Sequence, residues 1–181
     1  SNKNINLSII DLDIVFNIHG YNKIIDKRNW YLAHCRLSEF GLDLLTEEIK
    51  KIIFRIKNPA AKVLILDCDN TIWGGVVGEE GTYGIKIGTD GEGLMFQDFQ
   101  KEIIDLKNQG LILAISSKNN EKDVMEVFKN NDQMILQKKD ISLFKINWKE
   151  KYLNIREIAK ELNLALNSFV FWDDNPIERE K

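Results

Sequence analysis

The sequence has little cysteine, little histidine, no basic patch and no long apolar run. Its 181 residues contain two cysteines, Cys35 and Cys68, in no framework pattern, so there is no disulfide scaffold to build and a reduced, cytoplasmic setting is expected. The two histidines, His19 and His34, have no other ligand or nucleophile beside them and read as ordinary surface or packing residues. Lys and Arg number 25 against 28 Asp and Glu, a net charge of −3 with no basic cluster, which argues against a nucleic-acid partner. No apolar stretch approaches the roughly 20 residues of a membrane span, and no signal peptide is visible, so no membrane partner is expected. Internal repeats and low-complexity tracts are also missing.

What is present suits a packed core: 44% of the residues are hydrophobic. The length fits one domain with a fragment of another. The start at Ser1-Asn2, without Met, reads as a processed or tagged end. Early in the chain, LDIVF (12–16) predicts a short strand, and the Asp11-x-Asp13 pair reads as structural because neither Thr nor a glycine-rich loop follows it. Leu42, Leu45, Ile49, Ile52, Ile53 and Ile56 fall at helical spacing and predict a helix over 41–57, stopped by Asn58-Pro59. Residues 59–181 are read as the main domain.

That domain turns on VLILDCDNTIWGG (63–75). Four aliphatic residues, Val63 to Leu66, predict a strand buried on both faces, and the run ends abruptly in Asp67, Cys68, Asp69, Asn70 and Thr71. Ligand sites of open parallel sheets lie off the carboxyl ends of the strands, so Asp67 and Asp69 would stand at such a mouth. Two close carboxylates repel unless a cation intervenes. Oxygen ligands suit Mg2+, and an ionised Asp can attack phosphorus.

Eight of the eleven glycines lie between Gly74 and Gly93, which predicts turns and a small hairpin from VVG and YGIKIG. A helix over 94–109 follows, then a strand at 111–115 ending in Ser116, Ser117, Lys118, Asn119 and Asn120. Val124, Val127 and Phe128 predict the next helix, MIL (134–136) a third strand, 149–162 a helix, and SFVFW (168–172) a fourth strand ending in Asp173 and Asp174. Alternating strands and helices indicate an α/β fold with a parallel sheet. Three strands thus end in polar clusters: DCDNT, SSKNN and DDNP. Ser116 and Ser117 follow the second apolar strand, and Lys145, Lys149 and Lys151 lie between it and the last.

The strand followed by D-x-D-x-T resembles the first motif of the haloacid dehalogenase (HAD) superfamily. DCDNTIWGGVVGEEG, ISSKNN, NWKEK and FVFWDDNPIERE together resemble its FkbH-like branch. The resemblance covers nearly the whole chain: NWYLAHCRLSEFGLDLL resembles the segment that precedes this domain in longer relatives, which implies that residues 1–58 are an N-terminal extension. It implies a HAD-like Rossmannoid three-layer sandwich with a short glycine-rich flap and no large cap domain, since only about 25 residues separate Gly74 from the next helix. It implies Asp67 as nucleophile, Asp69 as general acid/base, Ser117 as the phosphoryl-binding hydroxyl, and Lys151 as the cation, with Lys118 as runner-up. Mg2+ would be held by Asp67, Asp69 (through its carbonyl), Asp173 and Asp174. Asn70, Thr71, Trp73, Gly74, Gly75, Lys118 and Asn119 would border the substrate, although Trp73 could equally pack under the flap. Cys68 could carry an acyl group as a thioester, or be a buried core residue turned away by strand alternation.

By resemblance the chemistry is Mg2+-dependent transfer of a glyceryl unit from 1,3-bisphosphoglycerate, a phosphorylated small-molecule donor, to the phosphopantetheine thiol of an acyl carrier protein. Phosphatase action on monoesters is the alternative, and a non-catalytic carrier-binding module is a second one. By the same resemblance, longer relatives carry a further N-terminal domain, and a final helix and strand usual in the family are expected after FVFWDDNPIERE.

Overall fold

The computed structural model describes residues 9–57 and 60–180. The chain divides into two compact units, Ser1–Pro59 and Ala60–Lys181.

The first unit is helical: α1 (Leu12–His19), α2 (Tyr21–Ile24), α3 (Lys27–Ala33) and α4 (Glu39–Lys57). LDIVF is helix, not strand. The Asp11 carboxylate accepts from the amides of Asp13 (3.1 Å) and Ile14 (3.2 Å), an N-cap that satisfies amides no strand partner is there to take. The Asp11-x-Asp13 pair is thus structural. Gly41, at the start of α4, lies so close to α2 that an added Cβ would meet the Ile24 carbonyl oxygen at 2.5 Å. The Asn58-Pro59 stop lies outside the described residues.

The second unit is a three-layer α/β sandwich around a parallel four-stranded sheet. In chain order it contains β1 (Val63–Leu66), α5 (Val77–Glu80), α6 (Gly91–Asn108), β2 (Ile112–Ser117), α7 (Glu121–Asn130), β3 (Leu143–Ile146), α8 (Lys151–Leu162), β4 (Phe169–Trp172) and α9 (Pro176–Arg179). The strand order is β3-β2-β1-β4, all parallel, with Leu66 level with Ile115 on one side and Trp172 on the other. Strand alternation sorts the core. Leu64, Leu66, Leu113 and Ile115 pack with Ile103 of α6 and with Val124 and Val127 of α7. Val63, Ile65 and Ala114 pack with Ile158 of α8 on the opposite face. The topology reverses at β1, which has β2 on one side and β4 on the other, and crevices of doubly wound sheets open at such a point.

Two elements differ from the sequence reading. MIL (134–136) is not a strand. Gln100, fully buried on α6, accepts from the amides of Ile135 (2.9 Å) and Leu136 (2.8 Å) and donates to the Ile72 carbonyl (2.6 Å). A side chain therefore satisfies the backbone groups a ladder would have paired. The third strand is LFKI (143–146). The glycine-rich segment forms a one-turn helix, α5, and a single antiparallel bridge between Gly74 and Lys86 rather than a hairpin. It inserts no cap domain.

Gln100→Leu is expected to cost about 3 kcal/mol, because it strands two buried amides and a carbonyl at roughly 1–3 kcal/mol each, with partial relief by water. A thermal melt should show a fall of about 10 °C. Among the described residues no helix is long and apolar enough to cross a membrane.

Candidate active site

Each group at the carboxyl end of the sheet is delivered by a strand or the turn after it. Asp67 continues β1, its amide donating to the Trp172 carbonyl at 3.0 Å. The chain then turns: Thr71 and Ile72 both donate to the Cys68 carbonyl, and Asn70 takes the left-handed conformation (φ 54°). Asn70 Oδ1 accepts from the Gly75 amide at 2.9 Å, and Gly75 itself sits at φ 91°, where glycine meets no Cβ penalty.

A cavity of about 200 Å3 opens here. The loop after β1 lines it with Asp67, Asp69 and Asn70, and the end of β2 with Ser117, Lys118 and Asn119. The first residue of α8 adds Lys151, and the segment after β4 adds Asp173, Asp174, Asn175 and Glu178. Its volume is below the ~300–1,000 Å3 of drug-sized pockets and suits a phosphoryl group on a short chain.

Lys151 is the electrostatic centre. Buried, it lies 2.9 Å from Asp67 Oδ2 and 2.5 Å from Asp173 Oδ2. Burial pulls its pKa down, but Asp67 and Asp173 outweigh that and leave it above the ordinary lysine value. Burial pushes the Asp67 carboxyl above the usual range, with Lys151 opposing. Asp174 is raised as well, by burial and then by the adjacent Asp173. Lys145 and Lys149 are engaged elsewhere, with Glu157 and, for Lys145, Glu161.

Asp69 is fixed by three donors: Trp73 Nε1 (2.9 Å) and the Val77 amide (3.1 Å) on one oxygen, and Asn119 Nδ2 (2.9 Å) on the other. Asn119 also reaches Ser117 Oγ at 3.2 Å. Of the two serines, Ser117 faces the cavity, while Ser116 is buried away from it.

Five sequence candidates are placed elsewhere. Trp73 is fully buried against Phe128 and touches the site only through Asp69. Gly74 and Gly75 shape the turn behind the loop and do not line the cavity, and neither does Thr71, which is buried. Cys68 is fully buried in the apolar cluster of Leu64 and Leu66, two positions along the same face of the strand. Burial, and then Asp67, holds its thiol well above the ordinary value, which keeps it protonated. Sequence reasoning missed Glu178 and Asn175 as cavity residues. Glu178 is brought to Lys118 across 60 positions, and no local pattern encodes that approach.

Asp67, Asp173 and Asp174 each offer one carboxylate oxygen, all within 4.8 Å of one another, and could hold a metal ion. Asp67 Oδ1 is buried without a hydrogen-bond partner, a costly state for a charged oxygen unless a ligand meets it. An all-oxygen donor set fits a hard divalent cation.

The chain is similar to a solved structure, the N-terminal part of the protein BF1531 from Bacteroides fragilis, containing a phosphatase domain and complexed with Mg. The two share 41% sequence identity and superpose with a TM-score of 0.80, over 94% of this chain and 46% of that one. This chain therefore spans about half the length of that structure. The fold is HAD-like α/β, as in that neighbour. No family model matches the chain, and no curated protein matches it.

Proposed function

We propose that the second unit is a magnesium-dependent phosphoryl-group hydrolase or transferase with Asp67 as nucleophile. The observation that carries this is the buried, unpartnered Asp67 Oδ1 in a cavity where Lys151 bridges Asp67 and Asp173. The likeness to a Mg-bound structure containing a phosphatase domain supports it.

Asp67, Asp173 and Asp174 would hold Mg2+ with the carbonyl of Asp69, and the bound ion would offset phosphoryl charge and the repulsion among these acids. Asp67 attacks phosphorus, forming an aspartyl-phosphate as the bond to the leaving oxygen breaks, and Asp69 gives that oxygen its proton. Asp69 then takes a proton from water, the water oxygen bonds to phosphorus, and Asp67 is released with inorganic phosphate. Ser117 Oγ and Asn119 would hold phosphoryl oxygens, and Lys151 would keep Asp67 ionised.

At the finer level, we propose a C3 acyl phosphate as donor and a carrier-protein thiol as acceptor. The string DCDNTIWGGVVGEEG and the short glycine-rich segment between β1 and α6, which inserts no cap domain, support a tethered, macromolecular acceptor. The thiol sulfur bonds to the acyl carbon as the acyl–oxygen bond to phosphate breaks, the departing phosphate takes the thiol proton, and the remaining phosphate ester is cleaved at Asp67. The buried position of Cys68 favours direct transfer over a relay through its sulfur.

Intact-protein mass spectrometry tests both levels, using the protein with Mg2+, 1,3-bisphosphoglycerate generated in place, and a phosphopantetheinylated carrier. A glyceryl adduct on the carrier is expected. Phosphate release with no adduct would reduce the function to a phosphatase, and an adduct on the enzyme lost in Cys68→Ser would return Cys68 to the mechanism. Carrier binding without any turnover in Mg2+ would leave a non-catalytic module.

Magnesium should also raise the melting temperature, since a ligand at 100 times its Kd adds about 2.7 kcal/mol. A melt unchanged between chelator and millimolar Mg2+ would remove the metal from this site.

A further inference from the structure

Between the end of α7 and the start of β3 a second cavity opens, about 380 Å3 in volume, which shares no lining residue with the one at Asp67. Phe128 and Met134 give it an apolar floor, and Lys129, Lys138 and Lys139 stand exposed around it. Among the described residues none of these three lysines forms an ion pair. Lys129 closes the last turn of α7, where a cation offsets the carbonyl end of the helix. Lys138 and Lys139 have no such use. Asp140, on the same turn, is taken by Lys107 at 2.7 Å and by the Gln137 amide at 2.9 Å, and acts on Lys139 only through space. Asp132, the acid of the lining, is not ion-paired either. In a chain of net charge −3, three lysines to one acid around a concave, partly apolar surface is a local excess of positive charge.

The volume is that of a small-molecule site. An organic anion can pair with Lys138 and Lys139 while its body covers Phe128 and Met134, whereas a neutral molecule of the same shape gains only the floor. The walls are also tied to the loop that carries Asp69. Phe128 lies edge-on to Trp73, with ring centroids 6.2 Å apart, and Trp73 Nε1 donates to Asp69 at 2.9 Å. Gln100 joins the amides of Ile135 and Leu136 to the Ile72 carbonyl. Asn131 Nδ2 donates to the Thr82 carbonyl, in the glycine-rich segment, at 2.8 Å. In a close-packed interior a shift of Phe128 has no void to enter, so it passes to Trp73 and from there to Asp69.

We propose that this cavity is a separate site for a small organic anion with an apolar body, held by Lys138 and Lys139 over Phe128 and Met134, and that its occupancy is felt at Asp69 through Phe128 and Trp73. The site itself stands apart from the Asp67 reading. Only the consequence for turnover, through the part of Asp69 as proton donor, rests on that reading.

Two matched probes test it: naphthalene-1-sulfonate, an anion, and naphthalene-1-sulfonamide, of similar shape and neutral. Binding is followed by NMR at the Met134 methyl and the Trp73 indole N–H, so that binding elsewhere on the protein does not count. In the wild-type protein the sulfonate should bind more tightly than the sulfonamide. The double variant Lys138→Gln, Lys139→Gln should weaken the sulfonate about tenfold, the size of one charge-assisted contact, and leave the sulfonamide unchanged. Asp132→Asn should strengthen the sulfonate. The Trp73 indole and the Val77 amide, which donate to the same Asp69 oxygen, should shift with the dissociation constant read at Met134. Equal binding of the two probes, or of the sulfonate to wild type and double variant, would overturn the site. A Met134 signal that moves while Trp73 and Val77 stay still would overturn the link to Asp69. A thermal melt of each variant establishes folding, and should the double variant not fold, the sign of the Asp132→Asn change decides. None of these readouts uses turnover, so a protein that binds the sulfonate here but releases no phosphate would lose the Asp67 reading and keep this site.

Discussion

Asp67→Asn is expected to abolish magnesium-dependent phosphate release, with kcat falling at least about 1,000-fold, or roughly 4 kcal/mol of transition-state stabilisation. The amide cannot form the bond to phosphorus, and no neighbour can take over. Asp69 is held by Trp73, Val77 and Asn119, and Asp173 is held by Lys151 and by the Asn175 amide. The fold should survive, because Lys151 keeps Asp173. A pH series separates loss of chemistry from loss of structure. Burial raises the folded-state pKa of Asp67, so its contribution to stability is full below the unfolded value of about 3.9 and is lost as pH rises through the folded value. Without metal, the variant should therefore gain on wild type between about pH 4 and pH 7. With Mg2+, wild type should recover more than the variant. A variant that melts far below wild type at neutral pH while metal-free would show that Asp67 is structural, and its lost activity would then say nothing about nucleophilicity.

The parts of this site that were legible in the sequence are those fixed by one strand and its end. β1, β2 and β4 announce themselves as apolar runs that stop at Asp67, Ser116 and Asp173. The parallel arrangement then forces those stops to one edge. Strand alternation also predicts that Cys68 turns away from Asp67, and it is found among Leu64 and Leu66 in the core. β3 was not legible. Lys145 interrupts its apolar run, and it is an edge strand with only Ile146 buried, whereas MIL is apolar because Met134 and Leu136 fill the core from a turn. A buried glutamine supplying strand-like hydrogen bonds leaves no local mark. α1 was misread for a related reason: five residues of mixed polarity fit either period, and the Asp11 cap decides between them. Lys151 could be chosen over Lys145 and Lys149 by resemblance alone. In the structure the difference is partnership, with two surface glutamates for the others and two site aspartates for Lys151.

Lys151→Met should produce the largest loss of stability of any single change at the site. The methionine fills a similar volume, but Asp67 and Asp173 are left buried with Asp174 beside them and no cation. Removing one partner of a buried ion pair costs about 3–5 kcal/mol, because the remaining charge has neither water nor counter-ion. The metal-free protein should melt at least about 10 °C lower at pH 7. The deficit carries its own signature. With Lys151 gone, the largest opposition to the effect of burial on Asp67 is removed and only Ser117 and the Cys68 backbone remain against it, so its folded pKa rises further. Stability gained from a raised carboxyl is present at low pH and lost as pH increases, so the gap to wild type should narrow toward pH 4. Magnesium should narrow it too, since a divalent cation among these oxygens replaces the missing charge. Activity should stay low even when Mg2+ restores the fold, because the ammonium beside Asp67 would be absent when the nucleophile attacks an anionic phosphoryl group. A deficit that is the same at pH 4 and pH 7, and indifferent to Mg2+, would trace the loss to packing of the lysine stem and would remove Lys151 from the electrostatics of the site.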